Sequence, residues 1–111
     1  MARTVRLAAA GDLRPGQGKT VDVEGLEVAV FHLGEGRYCA LGGSCPHEGG
    51  PLAQGAFYRG RILCPWHGFD FDPATGACGA DPDLSVPVYP TRVEDGQVVA
   101  DLPDPPGSRQ G

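Results

Sequence analysis

The sequence predicts an all-β domain, a sandwich or small barrel, and three observations carry that prediction. No stretch sustains the 3.6-residue period of an amphipathic helix. The apolar residues fall in short runs rich in Val, Ile and Phe. Gly- and Asp-containing turn signals separate those runs at regular intervals. The first expected strand is Thr4 to Ala8, followed by a polar loop from Gly11 to Gly18. Lys19 to Glu24 alternates polar and apolar residues, as a half-buried strand does. Gly25 turns the chain into a strand from Leu26 to Leu33. Gly34-Glu35-Gly36 is a hairpin signal, and Arg37 to Leu41 returns. A loop is expected from Gly42 to Gly55. Ala56 to Tyr58 and Arg61 to Leu63 flank the tight turn Arg59-Gly60. Cys64 to Gly68 forms a second loop, Phe69 to Phe71 resumes, and Asp72 to Gly76 is a strong turn. Val86 to Val93 and Gln97 to Leu102 are expected as a closing hairpin around Asp95-Gly96. The Pro-rich end of the chain, residues 104–111, is expected to be a disordered tail.

The bulk composition narrows the functional classes. The 111 residues fit one domain. A hydrophobic share of 41% against 21% charged residues suits a globular core rather than disorder. The formal net charge of -5 disfavours nucleic acid and anionic membrane surfaces as partners. No apolar run approaches the ~18 residues of a membrane span, and no secretory signal is evident. The expected location is therefore cytoplasmic. In that reducing compartment the four cysteines point to metal or redox chemistry before structural disulfides.

The two expected loops carry the chemistry. Cys45-Pro46-His47 and Cys64-Pro65-Trp66-His67 each offer one soft thiolate and one imidazole, with sixteen residues between His47 and Cys64. Neither loop closes a four-ligand site alone, so the two must meet, as adjacent hairpin tips could. Pro46 and Pro65 restrict the loops before a metal arrives. Gly49, Gly50 and Gly68 let the backbone approach a cluster and aim N–H groups at sulfur. A closed zinc site could use the same four side chains, giving a zinc-stabilised binding module. Structural zinc, however, usually pairs Cys with Cys and His with His within a loop.

Residues 45 to 52 (Cys-Pro-His-Glu-Gly-Gly-Pro-Leu) and 64 to 76 (Cys-Pro-Trp-His-Gly-Phe-Asp-Phe-Asp-Pro-Ala-Thr-Gly) together closely resemble the Rieske ferredoxins. That family includes the ferredoxin components of aromatic-ring dioxygenases and the small subunit of assimilatory nitrite reductase. The resemblance runs from about Val5 to Leu102. It implies a Rieske domain over residues 1–103, with cluster-binding loops 42–55 and 64–68. It also implies a β-sandwich bearing a small cluster-binding β-subdomain, and one two-iron, two-sulfide cluster. Carried over residue by residue, Cys45 and Cys64 would bind the inner iron, and His47 and His67 the outer one.

The ligand set governs the electrons. Two ferric ions and two sulfides make a doubly positive core. Four thiolates would render it doubly negative, whereas two thiolates and two neutral imidazoles leave it neutral and easier to reduce. Rieske centres accordingly span about -150 to +300 mV, against about -400 mV for plant-type ferredoxins. High-potential relatives carry cysteines in place of Gly50 and Trp66, and hydroxyl residues in place of Phe69 and Phe71. Phenylalanine cannot donate a hydrogen bond to sulfur, so a low-end potential is expected here.

The remaining residues have plainer readings. Cys39 is expected to be a buried small hydrophobe. Cys78 is either inert or an exposed thiol, and a Cys39–Cys78 disulfide is conceivable. His32 reads as an ordinary strand histidine, and Trp66 as a lid on the cluster or as packing. Asp70, Asp72, Asp81 and Asp83 read as a solvated charged rim or as a face for a basic partner.

An oxygenase would need a second, mononuclear iron held by two histidines and a carboxylate. Of 3 histidines, two are assigned to the cluster and only His32 is left. No Gly-x-Gly-x-x-Gly pattern suggests a dinucleotide. The expectation is a non-enzymatic carrier of single electrons from a flavoprotein reductase to a terminal oxygenase or related redox enzyme. The alternative is a fixed small subunit of a larger reductase such as nitrite reductase.

Overall fold

A computed structural model describes residues 3–43, 52–65, 69–79, 81 and 83–103. Among them there is no α-helix, only ten strands and two single 3-10 turns. The strands are β1 (Arg3–Ala9), β2 (Gly18–Val23), β3 (Leu26–Gly34), β4 (Arg37–Gly42), β5 (Ala56–Tyr58), β6 (Arg61–Leu63), β7 (Asp70–Phe71), β8 (Val88–Tyr89), β9 (Thr91–Glu94) and β10 (Gln97–Leu102). They form three antiparallel sheets in the orders β1-β10-β9, β2-β3-β4-β8 and β5-β6-β7.

Turn chemistry sets the hairpins. Glu24-Gly25, Glu35-Gly36, Arg59-Gly60 and Asp95-Gly96 each place two successive residues at positive φ between paired strands. This is the type I′ conformation, whose twist matches that of the strands. Gly60 and Gly96 supply the second positive φ without the Cβ clash that other residues would suffer.

The four-stranded sheet is the middle layer, buried on both faces. Ala29, Phe31, Cys39 and Leu41 face the small sheet, in one core with Leu52, Ile62, Cys64 and Phe71. The alternate residues Val28, Val30 and Ala40 face the other way, in a second core with Leu7, Val98, Ala100 and Leu102. That double burial explains the unbroken apolar run from Val28 to Phe31, since period-two alternation shows only where one face is wet. Phe31 is fully buried, which contributes roughly 1.5–3 kcal/mol. Its ring lies so close to Gly18 of the edge strand that a Cβ there would come within 2.6 Å of it.

Two sequence expectations are corrected. The run from Val86 to Val93 is not one strand: β8 pairs with β4 in the middle sheet, and β9 pairs with β10 in the outer one. The chain changes sheets at Pro90, which has no N–H to continue a ladder and whose carbonyl accepts from Asp101 N–H at 2.9 Å. The loop from Gly42 to Gly55 is not a hairpin tip either. It carries the chain from β4 of the middle sheet to β5 of the small sheet, through a 3-10 turn at Leu52–Gln54. The expected tail, residues 104–111, lies outside the described residues.

Cys39 and Cys78 are both buried and are not joined by a disulfide. Burial pushes the Cys39 thiol up to about 12, against a smaller opposing pull from its hydrogen bond with the Phe31 backbone. A thiol raised on folding stabilises the fold below its ordinary value of 9.0, and that stability is lost as pH rises toward 12. The expected outcome is a urea midpoint that falls as pH is raised past 9.0, with a shallower fall in Cys39→Ala. Equal slopes for the two proteins would contradict a buried, neutral thiol.

Candidate metal centre

Of the four predicted ligands, the described residues include Cys64; Cys45, His47 and His67 lie outside them, as do Pro46, Gly49, Gly50, Trp66 and Gly68. What the structure places is the frame from which both loops spring.

Cys64 directly follows β6 and is 3% exposed. Its backbone N–H donates to the Phe69 carbonyl at 2.7 Å, closing the second loop at its base. Leu63 pairs with Asp70 and Ile62 with Phe71, so the loop is the connection of a narrow antiparallel pair. The first loop is closed in the same way, by Leu52 N–H donating to the Gly43 carbonyl at 3.1 Å. Gly43 is in turn fixed to the middle sheet by its N–H, which donates to the Glu27 carbonyl at 2.9 Å.

The two bases touch each other. A Cβ on Gly55, three residues beyond the first loop's closing bond, would lie 1.7 Å from the carbonyl oxygen of Leu63. Leu63 is the residue just before Cys64. Leu52, Ala53 and Cys64 also share one buried core with Ile62 and Phe71. The first loop's exit is anchored on its other side, since a Cβ on Gly18 would come within 2.8 Å of the Ala53 carbonyl oxygen.

This setting fits an iron–sulfur ligand. Cys64 shares its apolar core with Cys39 and Cys78, and what sets it apart is its place at the closed base of the second loop. Phe71 is fully buried in the same core, and Phe69 packs against its edge. Neither side chain carries a hydroxyl group.

The other candidates have partners or surroundings of their own. His32 accepts a hydrogen bond at Nδ1 from Gly34 N–H at 2.9 Å, and its ring lies 4.6 Å from that of Tyr38. Cys78 is buried opposite Phe71, which removes the exposed-thiol reading. The acidic residues are not a uniformly solvated rim. Arg61 Nε donates to Asp70 Oδ2 at 2.8 Å, and Arg61 Nη1 lies 3.7 Å from Asp72 Oδ2. Asp81 accepts from Asp83 N–H at 2.9 Å, a local turn. Arg61 and Gly55 are the frame residues that the motif did not reveal. Arg61 becomes visible only when β6 is laid antiparallel to β7, which brings residue 61 beside the acidic positions 70 and 72.

Comparison with known proteins places this frame. Residues 3–90 match the family described as Rieske [2Fe-2S] domain. The chain is 32% identical over 97 residues to ferredoxin CarAc of Metapseudomonas resinovorans, a match covering 85% of this chain and 89% of that one. It is 43% identical over 65 residues to apoptosis-inducing factor 3 of Mus musculus, covering 59% of this chain and 11% of that protein. The chain spans between 11% and 26% of the length of several such longer relatives. Among solved structures it is similar to a putative NADH-dependent nitrite reductase small subunit from Mycobacterium tuberculosis. That similarity has a TM-score of 0.85 at 31% identity, covering 94% of this chain and 98% of the other.

Gly55→Ala should separate the two loop bases. The expected outcome is a protein that still folds, by far-ultraviolet circular dichroism, but incorporates several-fold less iron and sulfide. Full incorporation would show that the contact between Gly55 and Leu63 is dispensable.

Proposed function

Because the chain belongs to the Rieske [2Fe-2S] domain family, whose cofactor is one two-iron cluster, we propose that it carries single electrons between a flavoprotein reductase and a terminal oxygenase or related enzyme. In this reading Cys45, His47, Cys64 and His67 hold the cluster. The observation that carries the proposal is the match to a ferredoxin over 85% of this chain and 89% of that one. Both ligand motifs fall inside the family match.

Bound there, the cluster takes up and releases one electron at a time. The chain's own residues do the rest. One backbone hydrogen bond closes each loop at its base, Leu52 to Gly43 and Cys64 to Phe69, and a frame closed in this way favours small rearrangement when the charge changes. Cys64 is shielded from water by the core around it. The net charge of -5 steers the protein toward a basic docking face, and such steering weakens as salt is added. Among the described residues no helix is long and apolar enough to cross a membrane.

A second reading is supported by the likeness to the nitrite reductase small subunit, which extends over 98% of that chain. In that reading the protein is a fixed electron-transfer subunit and not a diffusing carrier. Purification from its native source separates the two, since a carrier elutes alone and a subunit brings a catalytic chain with it.

The proposal is tested by protein-film voltammetry. A reversible one-electron wave near about -150 mV is expected, because Phe69 and Phe71 offer no hydroxyl to the cluster sulfurs. A wave above zero, or none, would contradict it. Phe71→Tyr should move the wave to more positive potential.

A further inference from the structure

The pair of strands that presents Cys64 is short: β6 has three residues and β7 two. Backbone ladder bonds alone are few there, and a cluster of polar side chains reinforces them. Arg61 stands three residues before Cys64, which is about 10 Å along an extended strand. Its Nε donates to Asp70 at 2.8 Å, its Nη1 lies 3.7 Å from Asp72, and its Nη2 donates to the Ala77 carbonyl at 3.3 Å. Asp70 follows Phe69, whose carbonyl closes the loop on Cys64 N–H. One guanidinium therefore ties together the strand entering the loop, the strand leaving it, and the segment beyond.

The packing around the pair is tight. Gly79 N–H donates to the Asp70 carbonyl at 2.9 Å, and a Cβ on Gly79 would lie 2.5 Å from Asp70 Oδ2 and 3.1 Å from Arg61 Nη2. The Arg61 and Asp70 side chains are 33% and 31% exposed, so water screens them only in part. Without Arg61, the half-buried carboxylates of Asp70 and Asp72, two residues apart along the loop's exit strand, would lose the cation they share.

We propose that Arg61 is a positioning residue for the second ligand loop: its guanidinium, held between Asp70 and Asp72, fixes the stem that presents Cys64 and makes the cluster easier to reduce. The inference rests on the reading of Cys64 as a cluster ligand. Its chemistry is that of a planar fork satisfying two carboxylates and a carbonyl at once, which a lysine cannot reproduce.

The test compares wild type, Arg61→Gln, Arg61→Lys and Arg61→Gln/Asp70→Asn as cluster-loaded proteins. Cluster loss to an iron chelator is followed by visible absorbance, and the reduction potential by voltammetry. Arg61→Gln should lose its cluster about fivefold faster, as expected for a partly screened ion pair. Its potential should shift negative, because a positive charge is gone. The double variant should return to within about twofold of the wild-type rate, since it removes the unpaired Asp70 charge as well. Wild-type rates and potential in Arg61→Gln would overturn the proposal. So would a double variant as labile as the single one, which would mark Arg61 as packing only. If Arg61→Gln does not fold, Arg61→Lys decides. It should keep the wild-type potential while losing cluster about twofold faster, and an unchanged rate would overturn the proposal. A wild type that carries no iron or sulfide would instead refute the cluster reading itself.

Discussion

A site divided between two loops exists only if the bases of those loops are fixed to each other, and here that constraint falls on the contact between Gly55 and the Leu63 carbonyl. A Cβ at residue 55 would overlap that oxygen at 1.7 Å. The first loop begins in the middle sheet and ends in the small one. The second begins and ends in the small sheet. Each loop is pinched by one backbone hydrogen bond, Leu52 to Gly43 in the first and Cys64 to Phe69 in the second. The glycine contact then turns two separately closed loop bases into one frame, and the proposed ligand set of one thiolate and one imidazole per loop depends on that frame.

The rest of the fold keeps the frame still. The middle sheet is packed on both faces, so neither of its surfaces can slide without opening a core. Gly43 hangs from that sheet through Glu27, and the 3-10 turn at Leu52–Gln54 leans on Gly18 at its edge. The small sheet has little backbone pairing of its own, and Arg61 compensates by joining its strands through side chains. A still frame suits the proposed electron carrier, because a centre that reorganises little on reduction exchanges electrons with little loss. In the proposed reading the acidic net charge serves a different stage, the approach to a partner.

Local chemistry was legible in the sequence, and long-range pairing was not. Arg59-Gly60 and Asp95-Gly96 announced their hairpins because a positive φ is decided by the two residues that adopt it. The boundaries of β5 and β6 followed from those turns. Val86 to Val93 misled, because an apolar run does not say which sheet it joins, and Pro90 broke it between two partners. The spacing of Cys45, His47, Cys64 and His67 identified a family from the side chains alone. The reason the loops can meet lay in Gly55, a residue with no side chain to notice. Arg61 read only as a strand residue, and Asp70 and Asp72 as a charged rim or a face for a basic partner, since only the β6–β7 register brings the three together.

The most direct test is the electron paramagnetic resonance spectrum of the dithionite-reduced protein, with iron and acid-labile sulfide measured on the same sample. The account predicts a rhombic signal whose average lies well below the free-electron value, as a mixed cysteine and histidine environment produces, together with equal amounts of iron and sulfide. A silent sample containing zinc and no sulfide would contradict it and leave a small metal-stabilised binding module.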